Sequence, residues 1–133
     1  MIVNDPATHA EISAQFAAYE QALVTNDVAA LDGFFAASED VIRYGGSENL
    51  YGSGAIQAFR AGRPSAGLAR TLEKTSIVTY GADFAVCSTL FRRTAAPGRI
   101  GRQMQTWVRL PEGWRVVAAH VSLIDDPDLK PGG

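Results

Sequence analysis

Hydrophobic residues in the first part of the chain recur at the three- and four-residue steps of an amphipathic helix. The pair Asp5-Pro6 predicts where this helix starts, because Asp is a favoured N-cap and Pro is tolerated at the first helical position. Tyr19 lies on the apolar face, so its ring should be buried. That face is formed by Ile12, Phe16, Tyr19 and Leu23.

Two shorter helices are predicted after the first. Asp27 can cap the second helix, and Ser53 can cap the third, which should end at Gly62. Between these helices, residues 41–44 predict a short strand that leads into a glycine-rich loop at 45–52.

After Pro64 the hydrophobic period changes to two, which is typical of β-strands. Short connections rich in Gly, Ala, Asp and Pro separate the strand candidates, and this predicts an antiparallel meander. The four candidates are residues 68–80, 84–93, 99–110 and 113–123.

Three helices followed by long, twisted antiparallel strands predict an α+β fold in which the helices close one side of a curved sheet. This order of elements is similar to the NTF2-like (SnoaL-like) cone. The 133 residues are expected to form one domain, with a core at about 5–124 and a loose polar tail at 125–133. Because this fold serves many functions, the pocket must decide the function.

The net charge of −2, without any basic run, argues against binding to nucleic acid or to a membrane surface. Residues 1–5 contain no basic residue and precede no apolar run, and no stretch reaches transmembrane length, so a cytoplasmic protein is expected. Cys87 lies in an apolar strand pattern and is expected to be a buried hydrophobic residue rather than a nucleophile.

Arginine supplies ten of the twelve basic residues, and only Lys74 and Lys130 are lysine. The bias can reflect a GC-rich genome, or it can serve carboxylate recognition, since a guanidinium binds a carboxylate through two parallel hydrogen bonds. Arg43 supports the second explanation because it lies among apolar neighbours in the strand at 41–44. An unpaired buried charge is costly there, so Arg43 must reach water, pair with an acid or bind an anion.

Polar and aromatic side chains share faces of the last two predicted strands. On one strand these are Gln103, Gln105 and Trp107, and on the next they are His120 and Ser122. Periodicity does not decide which face looks into the cone. His120 is either a wall residue with satisfied hydrogen bonds or a hydrogen-bond donor or proton shuttle. Tyr19 is either a core residue bonded to a backbone carbonyl or a group that acts on a ligand.

Acids are rare near these positions. Asp40 and Glu48 lie in predicted loops, and Glu73 is the one acid within the predicted strands. We therefore expect a pocket rich in hydrogen-bond donors and poor in carboxylates, which argues against an Asp general base and for recognition of an anion. The sequence has no metal-binding, phosphate-binding or Ser-His-Asp signature, so neither a metal nor another cofactor is expected.

Motifs along residues 5–124 resemble the AtzH/HpxZ-like family, in order and with similar spacing. They are FAAYEQAL (16–23), RYG (43–45), ENLYG (48–52), AFR (58–60), GLART (67–71), IGRQ (100–103), QTWVR (105–109) and EGWRVVAAHVSL (112–123). The resemblance implies an NTF2-like homodimer encoded beside amidases that degrade cyanuric acid products, oxalurate and other ureides.

The resemblance also implies a decarboxylating amidohydrolase reaction that converts 1,3-dicarboxyurea to allophanate. A tyrosine of the first helix and an arginine of the first strand form the implied catalytic pair, and these positions match Tyr19 and Arg43. Arg43 would hold a substrate carboxylate, and Tyr19 would donate a proton to the carbamate nitrogen or orient a water. The candidate substrate-binding residues are Arg70, Asn49, Tyr51, Gln103, Gln105, Trp107, His120 and Ser122.

Two other functions are compatible with the sequence. A non-catalytic protein that binds a small anionic ureide, or supports a neighbouring amidase, would have the same pocket. A purely structural oligomerisation module would fill its pocket with apolar side chains, and the polar Gln103, Gln105 and His120 make this the weakest alternative.

Overall fold

The computed structural model describes residues 1–128 and contains three helices and six strands in this part of the chain. The helices are α1 (Pro6–Val24), α2 (Val28–Phe34) and α3 (Ser53–Gly62). The strands are β1 (Ile42–Tyr44), β2 (Asn49–Tyr51), β3 (Arg70–Tyr80), β4 (Phe84–Arg93), β5 (Arg99–Leu110) and β6 (Gly113–Asp125). The α+β fold predicted from the order of elements is confirmed.

Side-chain caps begin the first two helices, as predicted. The carboxylate of Asp5 accepts a hydrogen bond from the Thr8 backbone N–H at 3.1 Å, and that of Asp27 caps α2 in the same way. The prediction for α3 is wrong, because its N-cap is Gly52 at φ 88°, where a glycine is favoured. The Ser53 hydroxyl instead accepts the backbone N–H of Ser38 at 3.1 Å and ties α3 to the preceding loop.

One six-stranded sheet has the order β2-β1-β6-β5-β4-β3. Strands β3 to β6 form the predicted antiparallel meander. The predicted loop at 45–52 contains a strand that periodicity did not indicate, because β2 has only three residues and pairs with β1 alone. Strand β1 runs parallel to β6, and this pairing brings the first half of the chain onto the end of the meander.

The helices pack on one face of the sheet and share a core with it. All four predicted apolar residues of α1 are buried, and Ile12 is fully inaccessible. Full burial of such side chains contributes roughly 1.5–3 kcal/mol each. Trp107 is the largest fully buried side chain. Cys87 is also fully buried, and burial raises the pKa of its thiol to about 12, so it is a hydrophobic residue of the core, as expected.

An irregularity in the pairing of β5 with β6 changes the side-chain alternation along β6. Trp107 pairs with Val116 and Thr106 pairs with Ala118, so Val117 is an extra residue on the β6 side. Before it Trp114 and Val116 point inward, whereas after it Ala119 is buried and His120 is exposed. Strict alternation would place His120 on the same face as Trp114 and Val116, but the extra residue puts His120 on the outer face of the sheet.

Residues 125 and 126 of the predicted loose tail are held by the rest of the protein. Asp125 is the last residue of β6, and the Asp126 carboxylate lies 2.6 Å from Arg92. The hydrogen bond from Arg92 holds the pKa of Asp126 below its usual value. The rest of the predicted tail, 129–133, lies outside the described residues. Within residues 1–128 no helix is long and apolar enough to cross a membrane.

Candidate functional site: an arginine-lined cavity

A cavity of about 220 Å³ is lined by residues of β1, β4, β6 and α3 and of the segments that follow β1 and α3. Pockets for drug-sized ligands have volumes of roughly 300–1,000 Å³, so this one fits a small metabolite. Its lining includes three guanidinium groups and one carboxylate. The charged lining residues are Arg43, Arg63, Arg93 and Glu48, and the apolar walls include Phe59, Leu68, Phe91, Val121 and Leu123.

Arg43 reaches the cavity from β1. It pairs with Ala119 of β6, a buried residue, and this register places Arg43 on the inner face of the sheet. Its Nη1 donates a hydrogen bond to Glu48 Oε1 at 2.8 Å. The guanidinium carbon lies 5.5 Å from the centre of the Phe59 ring. Arg43 is therefore a cavity residue with an internal acid partner, which the sequence analysis did not assign.

Glu48 folds back into the cavity from the turn between β1 and β2. Its carboxylate accepts hydrogen bonds from the Ser47 backbone N–H at 3.1 Å and from the Ser47 hydroxyl at 2.9 Å. It lies against Gly45, where a Cβ atom would collide with it. Partial burial opposes ionisation, but the hydrogen bonds from Arg43 and Ser47 outweigh it and hold the pKa of Glu48 below its usual value.

Arg63 and Arg93 line the same cavity, and neither pairs with an acid among residues 1–128. The Nε atom of each is buried without a hydrogen-bond partner in that part of the chain. Arg63 makes one long hydrogen bond, 3.4 Å, to the side chain of Asn26. Burial, and then the positive charges of neighbouring arginines, lower the pKa of both side chains.

The ring of Phe91 separates two of the arginines. Arg70 and Arg93 are directly opposite each other on β3 and β4, where like charges repel. Their guanidinium carbons lie 4.5 and 5.0 Å from the centre of the Phe91 ring. The ring itself lies over Gly101, and a Cβ atom there would overlap it. Phe91 and Gly101 together therefore fix the place of Arg93.

Arg70 is engaged by other protein groups. Its Nε and Nη2 donate to the two carboxylate oxygens of Glu20 at 2.7 and 2.6 Å, and Nη2 also donates to Gln103 Oε1 at 3.0 Å. The side chain of Arg70 is 1% exposed. Glu20 therefore neutralises the charge of Arg70. The hydrogen bonds to Glu20 and Gln103 occupy the edge of the guanidinium that would have to bind a substrate carboxylate, so the predicted contact is not available.

Tyr19 is buried, as predicted, at 5% exposure. Its ring centre lies 5.8 Å from that of Phe34, 6.4 Å from that of Phe35 and 6.1 Å from that of Trp107. Its hydroxyl makes no hydrogen bond to any group in residues 1–128, so the expected bond to a backbone carbonyl is not formed. Tyr19 is not a wall residue of the cavity.

The other predicted substrate-binding residues divide into three groups. Asn49, Tyr51 and His120 are exposed and lie outside the cavity, and the Tyr51 hydroxyl contacts that of Tyr44 at 3.2 Å. Gln105 and Trp107 are core residues, and the Trp107 indole N–H donates to Gln105 Oε1 at 3.1 Å. Only Ser122 is among the cavity lining, and its hydroxyl accepts hydrogen bonds from Arg102 at 3.0 and 3.2 Å, so it is not free for a ligand. Gln103 lies behind the cavity, and its buried Nε2 has no partner within residues 1–128.

A model of the AtzH-like family matches residues 1–127 of the chain. The chain belongs to the AtzH-like family. No curated protein matches it.

Solved structures of similar proteins agree with this assignment. A protein of unknown function from Pectobacterium atrosepticum is 58% identical, with a TM-score of 0.90 over 92% of this chain and 95% of that one. A cystatin-like fold protein from Burkholderia xenovorans is 46% identical, with a TM-score of 0.92 over 96% of this chain and 99% of that one. An NTF2-like protein of unknown function from Pseudomonas putida, 20% identical over 94% and 97% of the chains, shares the fold with a TM-score of 0.75.

Several residues of this AtzH-like site were not singled out from the sequence. They are Arg63, Arg93, Phe91, Glu20 and Glu48. Arg63 follows the end of α3, and Arg93 is the last residue of β4. Neither is therefore surrounded by an apolar pattern that would have predicted a side chain pointing into the protein. The tandem Arg92-Arg93 was one available signal, since in a strand the two side chains must point to opposite faces.

The expected shortage of acids holds for only part of the site. Glu48 and Glu20 neutralise Arg43 and Arg70, and Asp32 lies 2.5 Å from the buried Arg60. Among residues 1–128 no three His, Cys, Asp or Glu side chains are grouped as a metal site would require. The two guanidiniums without an acid, Arg63 and Arg93, are the groups that can receive an anion.

Proposed function

We propose that this AtzH-like protein is a decarboxylating amidohydrolase that acts on a small N-carboxylated urea, such as 1,3-dicarboxyurea or a compound related to oxalurate. Membership of the family supports a role in ureide breakdown. The cavity supports a small anionic substrate, because three of its four charged lining residues are arginines.

The observation that carries the proposal is the environment of Tyr19. Tyr19 is 5% exposed, and its hydroxyl lacks a hydrogen-bond partner within residues 1–128, so this hydroxyl is available to a ligand. A buried phenol usually has a partner for its hydroxyl. A phenol hydroxyl without a partner in the protein supports a role in proton transfer, because it can donate its proton to a ligand.

The reaction requires one proton and releases carbon dioxide. The bond between the carbamate nitrogen and its carboxyl carbon breaks, and the electron pair stays on nitrogen. Tyr19 donates its hydroxyl proton to that nitrogen as carbon dioxide leaves, and a proton from water then restores the phenol. Arg43 holds a carboxylate of the substrate, so that the scissile bond faces Tyr19. The product of 1,3-dicarboxyurea is allophanate, and no redox partner is needed.

Replacing Tyr19 with Phe tests the role in proton transfer. Tyr19→Phe keeps the ring that packs against Trp107 and removes the hydroxyl. We expect kcat to fall by about 10²–10⁴, the usual contribution of a general acid, while the affinity for substrate changes little. The measurement is carbon dioxide release from freshly prepared 1,3-dicarboxyurea, corrected for its spontaneous decay. Tyr80→Phe is the matched control, because Tyr80 is exposed.

Unchanged kcat in Tyr19→Phe would exclude this tyrosine as the acid. The non-catalytic alternative is favoured by one observation, namely that Tyr19 is absent from the residues lining the cavity. That alternative expects an N-carboxylated urea or oxalurate to raise the melting temperature of the wild-type protein without carbon dioxide or ammonia release. Release above the rate of the control reaction without protein excludes it.

A further inference from the structure

The charge balance of the cavity indicates how many negative charges its ligand carries. Arg43, Arg63 and Arg93 contribute positive charges, and Glu48 contributes the one negative charge of the lining. Two further arginines close to the lining do not change its net charge, because Glu20 neutralises Arg70 and Asp32 neutralises Arg60. Among residues 1–128, the lining of the cavity therefore has an excess of two positive charges.

The two excess charges can be assigned to particular side chains. Arg43 is held by Glu48 at 2.8 Å, whereas Arg63 and Arg93 have no acid partner within residues 1–128. Their buried Nε–H groups are donors without acceptors, and so is the amide Nε2 of Gln103, whose oxygen is bonded to Arg70. Buried donors are normally satisfied, since leaving one unpaired costs about 1–3 kcal/mol. Arg63 and Arg93 both line the cavity, so their two unpaired donors indicate that the acceptors belong to the ligand.

We propose that Arg63 and Arg93 are specificity-determining residues that bind a second carboxylate, so that the cavity selects a small dianion over a monoanion. The proposal deepens the proposed function and rests on it for the identity of the substrate. It distinguishes the two substrates considered above, because 1,3-dicarboxyurea carries two carboxylates and oxalurate carries one. One carboxylate binds at Arg43, and the other receives the free donors of Arg63 and Arg93.

The unpaired charges of Arg63 and Arg93 support a role in binding. The two half-buried guanidiniums and Arg43 repel one another, and burial together with the neighbouring positive charges lowers the pKa of Arg63 and of Arg93. Charged groups that weaken the free protein but bind a ligand are characteristic of functional sites.

Binding of unreactive dicarboxylates tests the proposal independently of catalysis. Glutarate has the same number of atoms between its carboxylates as 1,3-dicarboxyurea, and monomethyl glutarate has nearly the same shape with one charge fewer. We expect the wild-type protein to bind glutarate about 10- to 100-fold more tightly than monomethyl glutarate, as measured by isothermal titration calorimetry at low salt, because the second carboxylate gains charge-assisted hydrogen bonds.

Arg63→Met and Arg93→Met keep most of the side-chain length and remove the charge. In either variant the preference for glutarate should fall to less than about 3-fold, and the melting temperature of the ligand-free protein should stay the same or rise. Arg115→Met is the matched control, because within residues 1–128 the Arg115 guanidinium bonds only to backbone oxygens of Trp114 and Glu112, at the opposite end of β6.

Equal affinity of the wild-type protein for the two ligands would overturn the proposal, as would an undiminished preference in both variants. A lower melting temperature in both variants would mean that the arginines serve the fold, and would also contradict it. A preference for glutarate in a protein that does not decarboxylate 1,3-dicarboxyurea would keep the dianion site and reject the proposed reaction. Decarboxylation of 1,3-dicarboxyurea by a protein that binds glutarate and monomethyl glutarate equally well would keep the proposed reaction and reject the dianion site.

Discussion

At the scale of single residues, the site depends on Gly101, a position without a side chain. The Phe91 ring occupies the space over Gly101 and has a guanidinium on either side, those of Arg70 and Arg93. Gly101 does not have a positive φ, so its backbone would accept alanine and only the contact with Phe91 excludes one. Gly101 is therefore needed because a side chain would collide with the Phe91 ring, and not because of its backbone conformation.

Gly101→Ala should destabilise the protein by about 1–3 kcal/mol, because Phe91 is fully buried and must move to admit the new methyl group. Affinity for glutarate should fall as well, since the displaced ring no longer positions Arg93. Urea denaturation and calorimetry provide the two measurements. Gly54→Ala is the control, because nothing lies within 4 Å of its Cβ position. Full stability of Gly101→Ala would show that Phe91 has room to move.

At the scale of elements, the extra residue Val117 in β6 decides which side chains reach the cavity. Without it His120 would share a face with Val116 and point inward, whereas the structure has Ala119 and Val121 there instead. The β1–β2 hairpin is the second deciding element. It adds Arg43 to the wall from a strand parallel to β6, and its turn carries Glu48 into the space beside Arg43.

Glu48→Gln should lower the free energy of unfolding by about 1 kcal/mol at neutral pH, because Arg43 then lacks its anionic partner. The pKa of Glu48 is lower in the folded protein than its ordinary value of 4.5, so its charge stabilises the fold above that pH. As the pH falls through the depressed value, the wild-type carboxylate is protonated and the advantage over Glu48→Gln disappears.

Melting temperatures of wild type and Glu48→Gln, measured from neutral pH to well below the ordinary pKa of a glutamate, follow this convergence. Glu39→Gln is the control, because Glu39 is exposed and no ion pair involves it within residues 1–128. A constant difference between wild type and Glu48→Gln across the whole range would mean that the ion pair with Arg43 does not stabilise the fold.

At the scale of the whole molecule, the outer face of the sheet carries large apolar side chains. Met104 is 57% exposed, and Ile42 and Tyr44 are each 37% exposed. They surround Ala118 and His120 on the neighbouring strands β1, β5 and β6. Contiguous exposed apolar surface of this kind is typical of protein interfaces. We propose that it forms a two-fold interface between two copies of the chain, in keeping with the homodimer implied by the sequence resemblance.

Met104→Glu should convert the proposed dimer to a monomer, because a two-fold interface would place two added carboxylates close together at its centre. Analytical ultracentrifugation over a range of protein concentrations measures the change. The control is Ile2→Glu, since Ile2 is 66% exposed but lies outside the sheet. A monomeric wild-type protein, or a dimer that survives Met104→Glu, would contradict this arrangement.

Local patterns in the sequence were enough to predict most of the elements. Apolar residues at helical spacing located α1, Asp5 and Asp27 located two helix starts, and alternation located β3 to β6 to within two residues at each end. These features depend on contacts between residues close in the chain and on the need to bury one face. The presence of Arg43 and Tyr19 in a buried setting followed from the same patterns.

Tertiary structure alone decided the composition of the cavity. Whether a polar side chain faces the cavity depends on strand register, and one extra residue, Val117, changes which residues of β6 face inward after it. Whether an arginine is free depends on partners distant in sequence, such as Glu20 for Arg70, separated by fifty positions. The sequence by itself determined an arginine-rich α+β protein with a buried tyrosine. The fold determined that Arg63 and Arg93, and not Arg70, remain available to an anion, because only packing across the sheet sets which charges are neutralised.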